Sequence, residues 1–241
     1  MTISTFPTPR GETQRVDRNG IKGLARAVVG VGLFAVAILA SAGTYAWPAG
    51  WAYILLVAFG SACFRLVVAW KNPGLISIRA KVGQGTKWWD KVFLAIYLPI
   101  TFALVVVAGF DAVRFGWSTM SPWLWPVGFV LFAGATALGA WAMAINPHFE
   151  STVRIQHDRG HRVIDSGPYR FVRHPGYLSA LGSTLSTPLL LGSWWAFVPA
   201  ALLAATFVVR TLLEDRTLHR ELPGYAEYAA RVRCRLLPGL W

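Results

Sequence analysis

Between Ala27 and Trp47 the chain carries no charged residue. A helix rises 1.5 Å per residue, so an apolar stretch of that length reaches across a hydrocarbon core roughly 30 Å thick. The pattern then recurs. Pro48-Ala49-Gly50 turns the chain into a second block, Trp51 to Trp70, interrupted only by Arg65. A polar loop from Lys71 to Lys91 leads to a third, Val92 to Phe110, which contains Pro99, and Trp123 to Ile145 forms a fourth. Proline is tolerated inside helices in lipid because neighbouring groups re-satisfy the freed backbone. The last apolar region is different. Leu178 to Leu191 and Trp194 to Val209 are each too short to span comfortably and are separated by Gly192-Ser193, which predicts a tight helical hairpin that barely crosses or dips partway in. The expected fold is therefore an all-α integral membrane protein with four full transmembrane helices plus a short C-terminal helical hairpin.

Composition agrees. Of 241 residues, 55% are hydrophobic and 14% charged, against about 25% charged in ordinary soluble domains. The formal net charge is +12, but the basic residues lie between the apolar blocks, which suits anionic lipid headgroups rather than nucleic acid. Arg10, Arg15, Arg18, Lys22 and Arg26 precede the first block; Lys71, Arg79, Lys81, Lys87 and Lys91 fill the second loop; the 146–173 segment and the C-terminal tail are arginine-rich. The alternate connections are nearly neutral, Asp111 and Arg114 offsetting one another. The positive-inside rule then places both termini and every basic segment in the cytoplasm. Tryptophans 47, 51, 70, 117, 123 and 125 sit near block ends, as an interfacial belt requires. The polar N-terminus is not read as a signal peptide. Cys63 and Cys234, far apart, suggest neither a disulfide framework nor a thiolate metal site.

Chemistry-bearing residues concentrate after Asn146, so the chain divides into a tail (1–26), a four-span region (27–145) and a candidate catalytic core (146–241). In the upstream spans only Arg65 is ionisable; it either faces a polar partner or snorkels to the cytoplasmic end. In the core, Pro175 suits the first turn of a helix, which puts Arg173 and His174 at a helix N-terminus where free N–H groups favour an anion. The hairpin returns to the same level at Arg210, and Glu214 lies one turn further on the same face. By spacing alone these two are either functional or a capping salt bridge. His157 and His161, with Asp158 beside them, have the spacing of a metal pair, but no third histidine follows and Gly160 opposes a helix, so no metal is expected.

Gly167-Pro168-Tyr169, Arg173-His174-Pro175-Gly176-Tyr177, Glu214-Asp215-Arg216-Thr217-Leu218 and Tyr225 with Tyr228 before Val232 and Pro238 form an ordered set around the short hairpin. In this set residues 146–241 resemble the isoprenylcysteine carboxyl methyltransferase family and related phospholipid methyltransferases. The resemblance implies an S-adenosylmethionine cofactor held by Gln156, His161, Arg162, Val163, Ile164, Tyr169, His174, Pro175, Gly176, Tyr177 and Glu214. It implies that Arg210, with Glu214 the catalytic pair, contacts a lipophilic or membrane-accessible methyl acceptor. The sequence departs from the family in a shorter interval from Gln156 to His161, in Asp215 at the second glutamate, and in His219-Arg220-Glu221-Leu222-Pro223-Gly224 before the tyrosines. Membrane lipids are the expected surroundings; neither nucleic acid nor a protein partner is expected. The rival readings are a phospholipid N-methyltransferase, an NADPH-dependent membrane reductase, and a small transport or lipid-binding protein.

Overall fold

The computed structural model describes residues 18–71, 75, 79, 85–239 and 241. Arg10, Arg15, Lys81 and most of the 71–91 loop lie outside the described residues. Those described form seven α-helices: α1 (Arg18–Ala42), α2 (Pro48–Lys71), α3 (Trp88–Gly109), α4 (Leu124–Ile145), α5 (Pro175–Leu191), α6 (Phe197–Glu221) and α7 (Tyr225–Arg231). A wider helical turn, Phe110–Arg114, prolongs α3, and α3 runs unbroken through Pro99.

Among the described residues, five helices are long and apolar enough to cross a membrane: Ile21–Ala42, Pro48–Lys71, Trp88–Arg114, Leu124–Ile145 and Phe197–Glu221. Four match the expected spans. The fifth differs from the expected short second arm of a hairpin. Its apolar stretch stops at Val209, but the helix continues to Glu221, because Arg210, Thr211, Asp215 and Thr217 are buried there and the charged ones meet partners inside the protein. The first arm stays short: α5 has 17 residues, contains Pro188, and ends at Gly192 with φ 73°.

A short helix surrounded by longer ones needs close neighbours. The α4–α5 interface is the most extensive between elements and is built on small residues, which let membrane helices approach until backbone groups touch. A Cβ at Gly139 would fall 2.5 Å from Ser179 Oγ, and Ser179 donates to the Ala135 carbonyl at 2.6 Å. At the far end of the bundle Asp111, fully buried, accepts hydrogen bonds from Ser118 (2.7 Å), Ser193 (2.6 Å) and the Trp195 amide (3.2 Å). It thus pins the α5–α6 turn to the end of α3. Arg114, taken from sequence as its electrostatic counterpart, instead reaches the Ala40 carbonyl at 3.4 Å.

Ile38, Tyr53, Leu104, Val105, Phe132, Leu190 and Leu203 belong to one buried cluster shared by all six long helices. Trp70, Trp117, Trp123 and Trp51 stand exposed near helix ends, as an aromatic belt requires. Trp47 does not: it is 7% exposed and packs under the α1–α2 turn against Gly50.

One crossing of α4 separates the 115–123 connection from the 146–174 segment. Cysteines introduced at the exposed Thr119 and Ser166, with Cys63 and Cys234 replaced by alanine, should react with an impermeant maleimide from opposite sides of a sealed vesicle. Labelling of both from one side would remove α4 as a span.

Candidate active site

The polar ends of α3, α5 and α6, together with the 146–174 segment, surround a cavity of about 420 Å³. It lies well within the range of small-molecule pockets, roughly 300–1,000 Å³. Its wall is mixed: Phe64, Phe93, Leu94 and Tyr97 come from the membrane-spanning helices, and Gln156, His161, Tyr169, His174, Glu214 and Tyr225 from the polar side. Arg162, Val163, Ile164, Pro175, Gly176, Tyr177 and Arg210 complete the set inferred from sequence. All twelve inferred site residues therefore line one cavity.

Asp215 of α6 organises the floor. It is buried and receives Arg173 (3.2 Å) and His174 Nε2 (3.3 Å). Tyr225 and Arg235 also donate to it, each at 2.9 Å. Arg173 and His174 are further tied to the C-terminal tail by their amides, which donate to the Cys234 and Arg235 carbonyls at 2.9 and 3.0 Å. The arginine and histidine read from sequence as an anion-binding helix start are thus committed to an internal carboxylate. The start itself is as expected: Pro175 opens α5 and His174 precedes it. Gly176 fits because a Cβ there would meet the Phe149 ring at 2.3 Å, so any larger residue would push this ring out of the cavity wall.

Arg210 and Glu214 share a helix face, but they do not pair. The Tyr177 hydroxyl donates to Glu214. Arg210 meets Asp90 of α3, Nε to Oδ1 at 2.9 Å, as a charge contact rather than a linear hydrogen bond. The other Asp90 oxygen accepts the Val153 amide at 2.7 Å, and Arg210 donates to the Ser151 carbonyl at 3.0 Å. The rings of Phe93 and Tyr177 flank the guanidinium, centroids 4.3 and 5.2 Å away. Asp90 was not foreseen. An acid in the first turn of a helix reads as a complement to the helix dipole, and no spacing rule connects it to an arginine on α6.

The 146–164 segment folds around Gln156, which donates to the His148 carbonyl and accepts from Arg159, both at 2.7 Å. Arg154 bridges Glu150 (2.8 Å) and Asp158 (2.7 Å). His157 is exposed, whereas His161 is half-buried against His148, ring centroids 4.7 Å apart. The two histidines with metal-like spacing therefore face different surroundings, because the short helical turn His157–Arg159 ends at Gly160 with φ 58°. Burial, then the adjacent His148 and Arg154, lower the His161 pKa to about 4; burial lowers His148 as well. Burial raises the Tyr169 hydroxyl despite its bond from Asn146 at 3.0 Å. His148, Asn146, Phe149 and Arg79 are wall residues that sequence reading missed; Asn146 and His148 carried a signal in lying at the exact start of the polar core.

A second cavity of about 440 Å³ adjoins the first, sharing Phe64, Tyr97, Ser179 and Ala180. It lies among the spanning helices, and Arg65 lines it rather than reaching only to the surface.

A helical bundle with five helices long and apolar enough to cross a membrane, and a cavity of mixed polar and apolar lining at one end, defines the class: an integral membrane protein. Residues 127–220, about two fifths of the chain, match the isoprenylcysteine carboxyl methyltransferase (ICMT) family, so this part of the chain is similar to a family of membrane methyltransferases. The match runs from the first turn of α4 to the end of α6, so it begins one helix earlier than the expected resemblance and stops before Tyr225 and Tyr228. No curated protein matches the chain.

Two outcomes follow from this geometry. Removing either partner of the buried Arg210–Asp90 pair strands a charge, so Asp90→Ala should lower stability by about 3–5 kcal/mol. Breaking the half-exposed Lys87–Glu221 bridge should change it by about 1 kcal/mol or less; denaturant titration of both variants in one detergent compares them. The depressed histidines act in the same direction as a paired carboxylate, but in a window nearer neutrality. Their neutral forms are favoured in the folded state, so stability is complete above the ordinary histidine pKa of about 6.5 and falls as pH drops toward 4. Melting temperature should decline over that window, and His161→Asn should flatten the decline.

Proposed function

We infer that the chain transfers a methyl group from S-adenosylmethionine to a lipophilic, membrane-accessible acceptor, at a site on the cytoplasmic side. The observation that carries this reading is the one cavity that gathers all twelve inferred site residues and has both polar and apolar walls. The cytoplasmic assignment rests on the basic loops at that end.

The residues suit the cofactor. It would supply a methyl group activated by a sulfonium, which leaves as a neutral thioether on transfer. Glu214 offers a carboxylate to the cofactor's ammonium or ribose hydroxyls. The buried His148 Nδ1 has no hydrogen-bond partner among the described residues and lies in the same wall, where a bound ligand would satisfy it. Gln156, Arg162, Val163, Ile164 and Tyr169 would border the nucleoside, and His161, neutral at physiological pH, offers a hydrogen bond without a charge.

Displacement at a methyl group needs alignment more than proton transfer, so the protein's work is positioning. Tyr177 and Arg210 stand where the polar wall meets Phe93 and Tyr97, and there an acceptor from the bilayer would meet the cofactor. The adjoining second cavity gives an apolar chain room inside the bundle. A phospholipid N-methyltransferase remains the second reading within this scheme, since nothing in the wall selects nitrogen over oxygen or sulfur.

Calorimetric titration in lipid nanodiscs should show S-adenosylmethionine binding and no comparable binding of NADPH. Glu214→Gln should weaken it by roughly 1.5–3 kcal/mol, the range for a hydrogen bond to a charged group. Unaltered affinity in that variant, or preference for NADPH, would overturn the assignment.

A further inference from the structure

Arg210 lines the cavity beside the aromatic wall, and its charge is already answered. Asp90 is fully buried, holds Nε at 2.9 Å, and is itself fixed by the Val153 amide at 2.7 Å. The Ser151 carbonyl takes one terminal N–H, and Phe93 and Tyr177 cover the guanidinium faces. Glu214, on the next turn, adds a second carboxylate, bonded to the Tyr177 hydroxyl rather than to Arg210. Two carboxyl groups, Asp90 and Glu214, thus stand around this one guanidinium before any ligand binds. A cationic cofactor suits such surroundings, and an anionic acceptor would find the guanidinium already engaged, at part-buried positions where charges are less screened than in bulk water. Arg79 is another cation in the wall. Its guanidinium donates to the Phe149 carbonyl at 3.1 Å and lies over the Phe149 ring, on the loop side of the cavity.

We propose that Asp90 is a specificity-determining residue that acts through Arg210: as its resident counter-ion it makes the acceptor end of the pocket select an uncharged methyl acceptor, such as an amine, thiol or phenol in neutral form, over a carboxylate. This rests on the methyltransferase reading above and narrows its substrate class. Asp90 touches neither ligand. It fixes Arg210 as a neutralised hydrogen-bond donor instead of a free anion receptor.

The test uses a matched set of probes, octanol, octanoate and octylamine, titrated calorimetrically into nanodisc-embedded protein with and without S-adenosylmethionine, empty nanodiscs being subtracted. In Asp90→Asn the octanoate-to-octanol affinity ratio should rise at least about tenfold, the low end of what close buried charge pairs contribute. The rise should vanish in the double variant Asp90→Asn with Arg210→Gln, where no uncompensated arginine remains. A merely structural role would weaken both probes together and leave the ratio unchanged, and that result overturns the proposal, as does a rise that persists in the double variant. Should Asp90→Asn fail to fold, Arg210→Gln gives the mirror measurement: Asp90 is then unanswered, and octylamine should gain on octanol by a similar factor; an unchanged ratio is again decisive against it. Failure of S-adenosylmethionine to bind the unaltered protein would instead defeat the methyltransferase reading, and the probe ratios measured without cofactor would still decide the role of Asp90.

Discussion

A charge placed inside a membrane protein must find its counter-charge in the protein, because neither lipid nor bulk water will solvate it. Asp90 and Asp215 are the two carboxylates on which the polar end of this bundle closes. Asp90 joins α3 to α6 through Arg210 and to the 146–164 segment through the Val153 amide. Asp215 joins α6 to the start of α5, to α7 and to the C-terminal tail through His174, Arg173, Tyr225 and Arg235. Both act on α6, which explains how that helix continues well past its apolar stretch and carries charged residues into a buried setting.

At the opposite end the same rule is met with hydroxyls and an amide instead of a cation. Asp111 gathers Ser118, Ser193 and the Trp195 amide and so anchors the turn between α5 and α6. Between the two ends, α5 is held by small-residue contact with α4 rather than by its own length. The shortness of α5 is what brings its first turn, with Gly176 and Tyr177, inward to the cavity where the spanning helices supply aromatic walls.

This arrangement separates what positions the site from what would contact ligands. Arg173 and His174 belong largely to the first group, since Asp215 and the tail take the terminal nitrogens of Arg173, Nε2 of His174 and both backbone amides. Glu214, Tyr177, His161 and the start of α5 keep exposure to the cavity. The tilted His148–His161 ring contact and the Gln156 bonds hold the 146–164 segment in a compact loop, which gives a loop-borne wall the rigidity a binding site needs.

Much of this was legible in the residues alone. Long uncharged blocks can only be helices in lipid, because every backbone group must be satisfied within its own segment; four of the five crossing helices follow from that. Local signals also held: Pro175 opens α5, Gly192 closes it, and Arg210 and Glu214 share a face. What the sequence did not contain was the identity of partners. Arg210 looked equally able to form a capping salt bridge with Glu214 one turn away or to serve a functional role, and only the packing of α3 against α6 brought Asp90 to it. Trp47, by position an interfacial residue, became core because the α1–α2 turn folds over it. Periodicity and hydropathy are properties of one segment and survive in the sequence, whereas charge pairing joins segments far apart in the chain, so only the tertiary structure decided which buried arginine is already neutralised.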